Sequence, residues 1–221
     1  MRIIEVSGRK LAAGLWWQSQ PTAKRHKANA RVKALELASA DFNVIASRRS
    51  PTGFEYGLGS FPDLRRLRGV FSLGAAVANA VFASGPDYAG MFVFNDGAWV
   101  IGLANGSIIP DYDYWGPVIE ANDRFNDCCQ FMPDATTVVH EDEASSLAAL
   151  EELLAESGPP SAKLEALFPR NRRFSVVAVV AVVVAAVVAW HMWSAHVERV
   201  ASEREARMEA VSYTHLTLPT N

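Results

Sequence analysis

The sequence predicts an α+β protein: an N-terminal mixed α/β domain, a single transmembrane helix and a truncated helical stalk. Three observations carry the prediction. Residues 174–193 (FSVVAVVAVVVAAVVAWHMW) hold no Asp, Glu, Lys or Arg, and at ~1.5 Å per residue a helix of that length crosses the ~30 Å hydrocarbon core of a bilayer. Upstream, short β-branched and aromatic runs are joined through Asp96-Gly97 and Asn105-Gly106, the turn chemistry of hairpins. Between such runs lie segments whose apolar residues recur at i, i+3, i+4 and i+7, the period of a half-buried helix.

Taken in order, Ile3–Val6 and Leu11–Trp17, around Gly8-Arg9-Lys10, read as a β-hairpin. Pro21 opens a helix running to about Ala38, with Ala28, Val32 and Leu35 on one face. Phe42–Ser47 reads as a third strand, followed by a loop rich in Gly, Pro and Ser that includes Gly57-Leu58-Gly59-Ser60. Ser72 reads as the N-cap of a helix in which Leu73, Ala76, Val77, Ala80 and Val81 share a face, with Ser84-Gly85-Pro86 as its stop. Met91–Asn95, Trp99–Ala104 and Ser107–Ile109 then form a three-stranded meander. A helix over about Pro117–Phe125, a strand at Thr136–His140 and a helix over Ala144–Leu154 complete the set. Glu141, Asp142 and Glu143 complement the positive end of that last helix. The expected sheet is largely antiparallel, in one domain over residues 1–156, long enough to bury a core of its own.

Residues 157–173 read as a linker that begins at Ser157-Gly158-Pro159-Pro160 and ends in a basic cluster, Arg170, Arg172 and Arg173. These arginines set the topology, and Trp190 and Trp193 on the other flank are interface anchors. The opening Met1-Arg2-Ile3-Ile4-Glu5 lacks the basic and apolar regions of a secretory leader. The expectation is a protein that passes the bilayer once, N-terminus cytoplasmic and C-terminus exported, to the periplasm in a Gram-negative bacterium. Residues 194–210 read as the start of a periplasmic stalk, with a coiled-coil seam through Val197, Val200 and Met208 and a homo-oligomer joined along it. Residues 211–221, from Val211-Ser212-Tyr213-Thr214 onward, resemble the translation of a transposase sequencing adapter, and the natural chain is expected to continue past Ala210 in its own sequence.

Two cysteines, the neighbours Cys128 and Cys129, read as reduced thiols and are too few for a structural zinc site. No phosphate-binding loop, G-x-S-x-G or H-E-x-x-H occurs. Asp111 and Asp113 sit two apart in an expected loop, without the third carboxylate a cation site needs. His140-Glu141-Asp142-Glu143 is accounted for by the helix dipole, and His191 and His196 by the membrane interface. The sequence therefore predicts no catalytic residue, no cofactor and no metal. Charge is divided along the chain: residues 1–68 carry 13 Lys/Arg against 5 Asp/Glu, and residues 69–169 carry 2 against 15. That asymmetry points to partner docking or to anionic lipid headgroups. Lys24, Arg25, Lys27, Arg31 and Lys33 form a basic helix face and are the candidate docking residues. They lack the aromatic and base-reading companions of a nucleic-acid surface.

Gly8-Arg9-Lys10-Leu11-Ala12-Ala13-Gly14-Leu15-Trp16-Trp17-Gln18 resembles the start of the PilO-type pilin accessory proteins of type IVb pilus systems. So do Ser72-Leu73-Gly74-Ala75-Ala76-Val77-Ala78 and the stretch from Asn105-Gly106-Ser107-Ile108-Ile109 to Pro110-Asp111-Tyr112-Asp113. The resemblance covers about Met1 to Ala210 and rests on structural motifs. It implies a non-enzymatic inner-membrane component of the pilus assembly platform, with a cytosolic domain of actin-like fold that lacks nucleotide chemistry. The partners it implies are the assembly ATPase, the polytopic platform protein and other inner-membrane pilus subunits. A single-pass membrane sensor with a cytosolic effector domain is the alternative reading, and a nucleotide-binding actin-like enzyme a third.

Overall fold

The structure, a computed structural model, describes residues 1–37, 41–82, 87–156, 161–168 and 184–194. The chain divides into two units, Met1–Phe168 and Pro169–Asn221. The first is a mixed α/β body whose described strands fall into three sheets, one of three strands and two of four.

The first hairpin joins β1 (Arg2–Val6) to β2 (Arg9–Ala13) through Ser7-Gly8, whose φ values of 50° and 71° are the left-handed pair that a tight, twist-matched turn requires. The expected single strand Leu11–Trp17 is broken. Gly14 turns the chain at φ 80°, and β3 (Trp16–Gln20) leaves for a different sheet. The first helix, α1 (His26–Glu36), is shorter than expected and faces the other way. Ala30 and Ala34 are its buried residues, whereas Val32 and Leu35 are 56% and 69% exposed. Small side chains let the helix lie close on the strands beneath, where Ala30 and Ala34 cluster with Ile45, Tyr56, Leu58 and Leu167.

A strand occupies the expected glycine-rich loop. β4 (Val44–Ser50) pairs with β5 (Gly53–Gly59) in an antiparallel hairpin. Glycine is needed there because the Trp17 ring lies directly on the backbone: a Cβ on Gly57 would stand 2.8 Å from Trp17 Cε2. A 3₁₀ turn at Leu64–Leu67 leads to β6 (Val70–Ser72), parallel to β2. Ser72 caps α2 (Leu73–Phe82) as expected, its Oγ accepting the Ala75 N–H at 3.1 Å. Eight of the ten residues of α2 are buried, so this helix is the axis of the main core.

The meander forms as read: β7 (Tyr88–Phe94), β8 (Gly97–Ala104) and β9 (Ser107–Gly116) are antiparallel neighbours. β9 runs on through the segment expected to be a loop around Asp111 and Asp113. α3 (Val118–Phe131) extends well beyond the expected Phe125, and β10 (Thr136–His140) returns parallel to β7. α4 (Glu143–Glu156) is capped by Asp142, whose Oδ1 accepts the Ser145 N–H at 2.8 Å. The parallel pairs β10–β7 and β2–β6, and the division into three sheets, replace the one largely antiparallel sheet of the sequence reading.

Residues 161–168 belong to the body rather than to the expected linker. Ala162, Leu164 and Leu167 are buried, and β11 (Glu165–Ala166) adds an edge strand to β4. The Ser72 N–H donates to Ala162 O at 2.8 Å, that of Leu164 to Val70 O at 3.0 Å, and that of Leu167 to Asn43 O at 2.8 Å. In the second unit, residues 184–194 are helical, and Val184, Val187, Val188, Trp190, Met192 and Trp193 are all exposed. Among the described residues no helix is long and apolar enough to cross a membrane. Residues 174–183 of the apolar run, Arg170, Arg172 and Arg173, and the stalk and tail from 195 on lie outside them.

Candidate docking surface

The basic residues singled out from the sequence meet on and just before α1, but they are not equivalent. Lys27 Nζ is 2.5 Å from Glu165 Oε2, and Arg31 Nε donates to the Leu167 carbonyl at 2.9 Å. Lys33 pairs with Glu36 at 3.3 Å. Lys24 and Arg25 are exposed and make no side-chain ion pair among the described residues. Arg25 takes the left-handed conformation at φ 60° and gives its carbonyl to the Asn29 N–H at 2.9 Å, which starts the helix without a side-chain cap. His26 accompanies them, its ring 4.7 Å from that of Phe54.

Beside α1 lies a groove of about 240 Å³ lined by His26, Lys27, Ile45, Ser47, Ser161, Lys163 and Glu165. Its polar lining is mostly donors, and its one carboxylate is already paired with Lys27. A second groove of the same volume, between Tyr88, Val138, His140, Ala149, Glu152 and Leu153, is more apolar. His140 is held there by stacking on Phe92 at 5.2 Å, a packing role at the end of β10. A separate, acidic surface is the outer face of α3, where Glu120, Asp123 and Asp127 are exposed beside Ile119 and Phe131.

Asp111 and Asp113, the pair a cation would have needed, point apart. Asp111 is exposed at φ 68°. Asp113 is fully enclosed and accepts from Trp17 Nε1 at 2.7 Å, Trp99 Nε1 at 2.8 Å and the Gly14 N–H at 2.7 Å. Burial pushes its carboxyl above the ordinary carboxylate range, and these donors pull it back. The sequence reading missed this role. Its available signal was two tryptophans within strand patterns, since a buried indole N–H seeks an acceptor.

A second enclosed carboxylate, Glu55, was also missed. Its Oε2 lies 3.0 Å from Arg48 Nη1, and its Oε1 accepts from the Ile108 N–H at 3.2 Å. Arg48 reaches on to Gly106 O and Asn79 Oδ1, both at 3.1 Å. Burial raises the Glu55 carboxyl and the adjoining guanidinium opposes that rise. Cys128 and Cys129 are free, Cys128 buried against Gly102 with its thiol pushed up to about 12 by burial and by Cys129. Among the described residues no three His, Cys, Asp or Glu side chains gather as a metal site would require. The geometry as a whole offers charged surfaces for contact, with its enclosed acids engaged in holding strands together.

A family model described as pilin accessory protein (PilO) matches residues 11–220, a span that takes in the apolar run and residues 211–220 as well. No curated protein matches the chain. Among solved structures, the crystal structure of the cytoplasmic domain of BfpC is similar to it, with a TM-score of 0.51 and 17% identity over 74% of this chain and 96% of that one. At that identity the likeness is one of fold.

Proposed function

Because this chain belongs to the pilin accessory protein (PilO) family, we propose that it serves type IV pilus assembly as a non-enzymatic inner-membrane scaffold. The observation that carries this reading is the family match over residues 11–220. The body up to Phe168 is the cytosolic domain, a reading supported by its fold likeness to a domain described as cytoplasmic. Residues 174–193 span the bilayer once, oriented by Arg170, Arg172 and Arg173 and anchored by Trp190 and Trp193. The all-round apolar, exposed surface of residues 184–193 supports that span.

In this reading the domain has an actin-like fold used for docking rather than nucleotide chemistry, and it contacts the assembly ATPase or the polytopic platform protein. The stalk reaches other inner-membrane pilus subunits and pairs with a second copy. Two charged surfaces are available. The α1 surface, with Lys24, Arg25, Lys27, Arg31 and Lys33, suits an anionic partner, and the α3 face, with Glu120, Asp123 and Asp127, suits a cationic protein. Deleting the gene in its host is expected to leave pilin synthesis intact and abolish surface pili; normal pili would refute the proposal. Capture of the ATPase or platform protein by the full chain in detergent should fall as salt rises, because screening over a Debye length of ~10 Å at 0.1 M weakens charge-driven contacts.

A further inference from the structure

We infer that α1 is a lipid-facing element: its exposed side rests on the anionic headgroup layer of the membrane that residues 174–193 cross. The inference deepens the scaffold reading and rests on that span. Its first ground is the apolar stripe. Ala30 and Ala34 face inward, and Val32, about 200° around the helix from Ala30 at 3.6 residues per turn, stands on the opposite side with Leu35 and Ala28. Exposed apolar side chains also stand on α3, but there they lie among acids; on α1 they lie among cations, and in an interfacial helix such side chains sink into the headgroup and acyl boundary while the flanking cations meet phosphates.

The second ground is charge. Lys24 and Arg25 lead into the helix unpaired among the described residues, and Lys33 flanks the stripe. The groove on the body side of α1 adds Lys163, His26, Ser47 and Ser161 as donors for a headgroup phosphate, while its Lys27 is held by Glu165.

The third ground is attachment. Arg31 donates a hydrogen bond to the Leu167 carbonyl and Lys27 pairs with Glu165, so α1 is fastened to the end of the body. Only residues 168–173 separate Leu167 from Phe174, where the apolar run begins. A fully extended chain of that length reaches no more than ~25 Å. Three arginines lie within those residues. An acidic protein would also satisfy the cations, but on the scaffold reading chain continuity keeps a bilayer within that reach of Leu167, which favours a lipid surface as the occupant. Tethering also gives a short helix with two large apolar residues an effective concentration it would lack alone.

The test uses the full chain with Cys128→Ser and Cys129→Ser. A nitroxide is placed through Val32→Cys or, on the acidic α3 face, through Asp123→Cys. Each protein is reconstituted into vesicles of phosphatidylcholine alone or with phosphatidylglycerol, both doped with a nickel-chelating lipid. The Val32 probe is expected to relax about threefold faster than the Asp123 probe in the anionic vesicles. Lys24→Gln with Arg25→Gln should weaken the contact about tenfold. Equal relaxation of the Val32 probe in both vesicle types would overturn the inference. So would a Val32 probe that the assembly ATPase immobilises while the lipid leaves it unrelaxed. Flotation with neutral vesicles after alkaline carbonate reads the span by itself. A chain that floats while Val32 stays unrelaxed sinks this inference alone, and one that fails to float sinks the span and the inference together.

Discussion

Asp113 and Glu55 are both carboxylates closed off from water, and the two regions that hold them solve the same problem differently. Around Asp113 the donors are neutral: two indoles and backbone N–H groups of the β2–β3 junction. Around Glu55 the main donor is a guanidinium, itself enclosed and tied to the β8–β9 turn and to α2. Each acid fastens one sheet to another, Asp113 from β9 to the β2–β3 corner and β3, Glu55 from β5 to β9. A charge compensated by dipoles keeps its net charge inside the fold. One compensated by an opposite charge does not, but depends on a single partner. Sequence separation differs too: Asp113 reaches 99 residues back to Gly14, whereas Arg48 and Glu55 are seven apart on one hairpin.

Asp113→Ala gives the largest expected loss, about 4–5 kcal/mol of unfolding free energy in urea titrations, because two buried indole N–H groups and the Gly14 N–H lose their acceptor at once. A loss below ~1 kcal/mol would mean that water replaces the carboxylate. Next is Arg48→Met, expected to cost about 3–4 kcal/mol by stranding Glu55. Adding Glu55→Leu should restore a good part of that loss, since a pair removed together costs less than one partner left alone. If the double variant is as unstable as the single one, the Gly106, Asn79 and Ile108 bonds matter more than the ion pair.

pH sharpens the comparison further. Both acids have raised carboxyls in the fold, so the folded state holds its protons more tightly than the unfolded chain. Their contribution therefore falls as pH rises from the ordinary value, 3.8 for Asp113, through the raised one, and it is fully present below that window. Melting temperature plotted against pH should slope downward more steeply across that window in the wild type than in Asp113→Asn. The smallest effect concerns the thiols. With Cys128 buried and raised to about 12, a thiol reagent at pH 8 should modify Cys129 first, giving one fast equivalent per chain with little change in stability.

The meander leading up to Asp113 was the more legible part, although Asp113 itself falls in the stretch of β9 expected to be a loop. Asp96-Gly97 and Asn105-Gly106 dictate tight turns locally, so β7, β8 and the start of β9 could be read without knowing what they pack against. Ser72 announced its helix by cap chemistry in the same way, and Glu141, Asp142 and Glu143 marked the positive end of α4 without revealing that Asp142 is its cap. The amino-terminal half depends on partners distant in sequence. β5 escaped notice because Gly57 and Gly59 lower strand propensity, and their reason, the Trp17 ring and Leu15 lying on them, is tertiary. α1 was read inside out because Val32 and Leu35 outrank alanine in hydrophobicity, whereas the sheet below admits only small side chains. Of the candidate docking surface, the cations were evident from the sequence. Their anchorage to Glu165 and Leu167 was not, because residues 161–168 follow the breaker Ser157-Gly158-Pro159-Pro160 and only pairing with β4 and β6 reveals them as part of the body.

That last segment has a mechanical consequence. A pull exerted on the chain beyond Phe168 reaches the bonds of Leu167 with Asn43 and Arg31 first, then the two rungs of β11, and only afterwards those that join Ala162 and Leu164 to Ser72 and Val70. Tension would thus peel a short ribbon from the edge and bare Leu167 and Ile45 while the β7–β10 sheet stayed whole. Under such a load this ribbon would part from β4 before any strand pairing of the other sheets gave way.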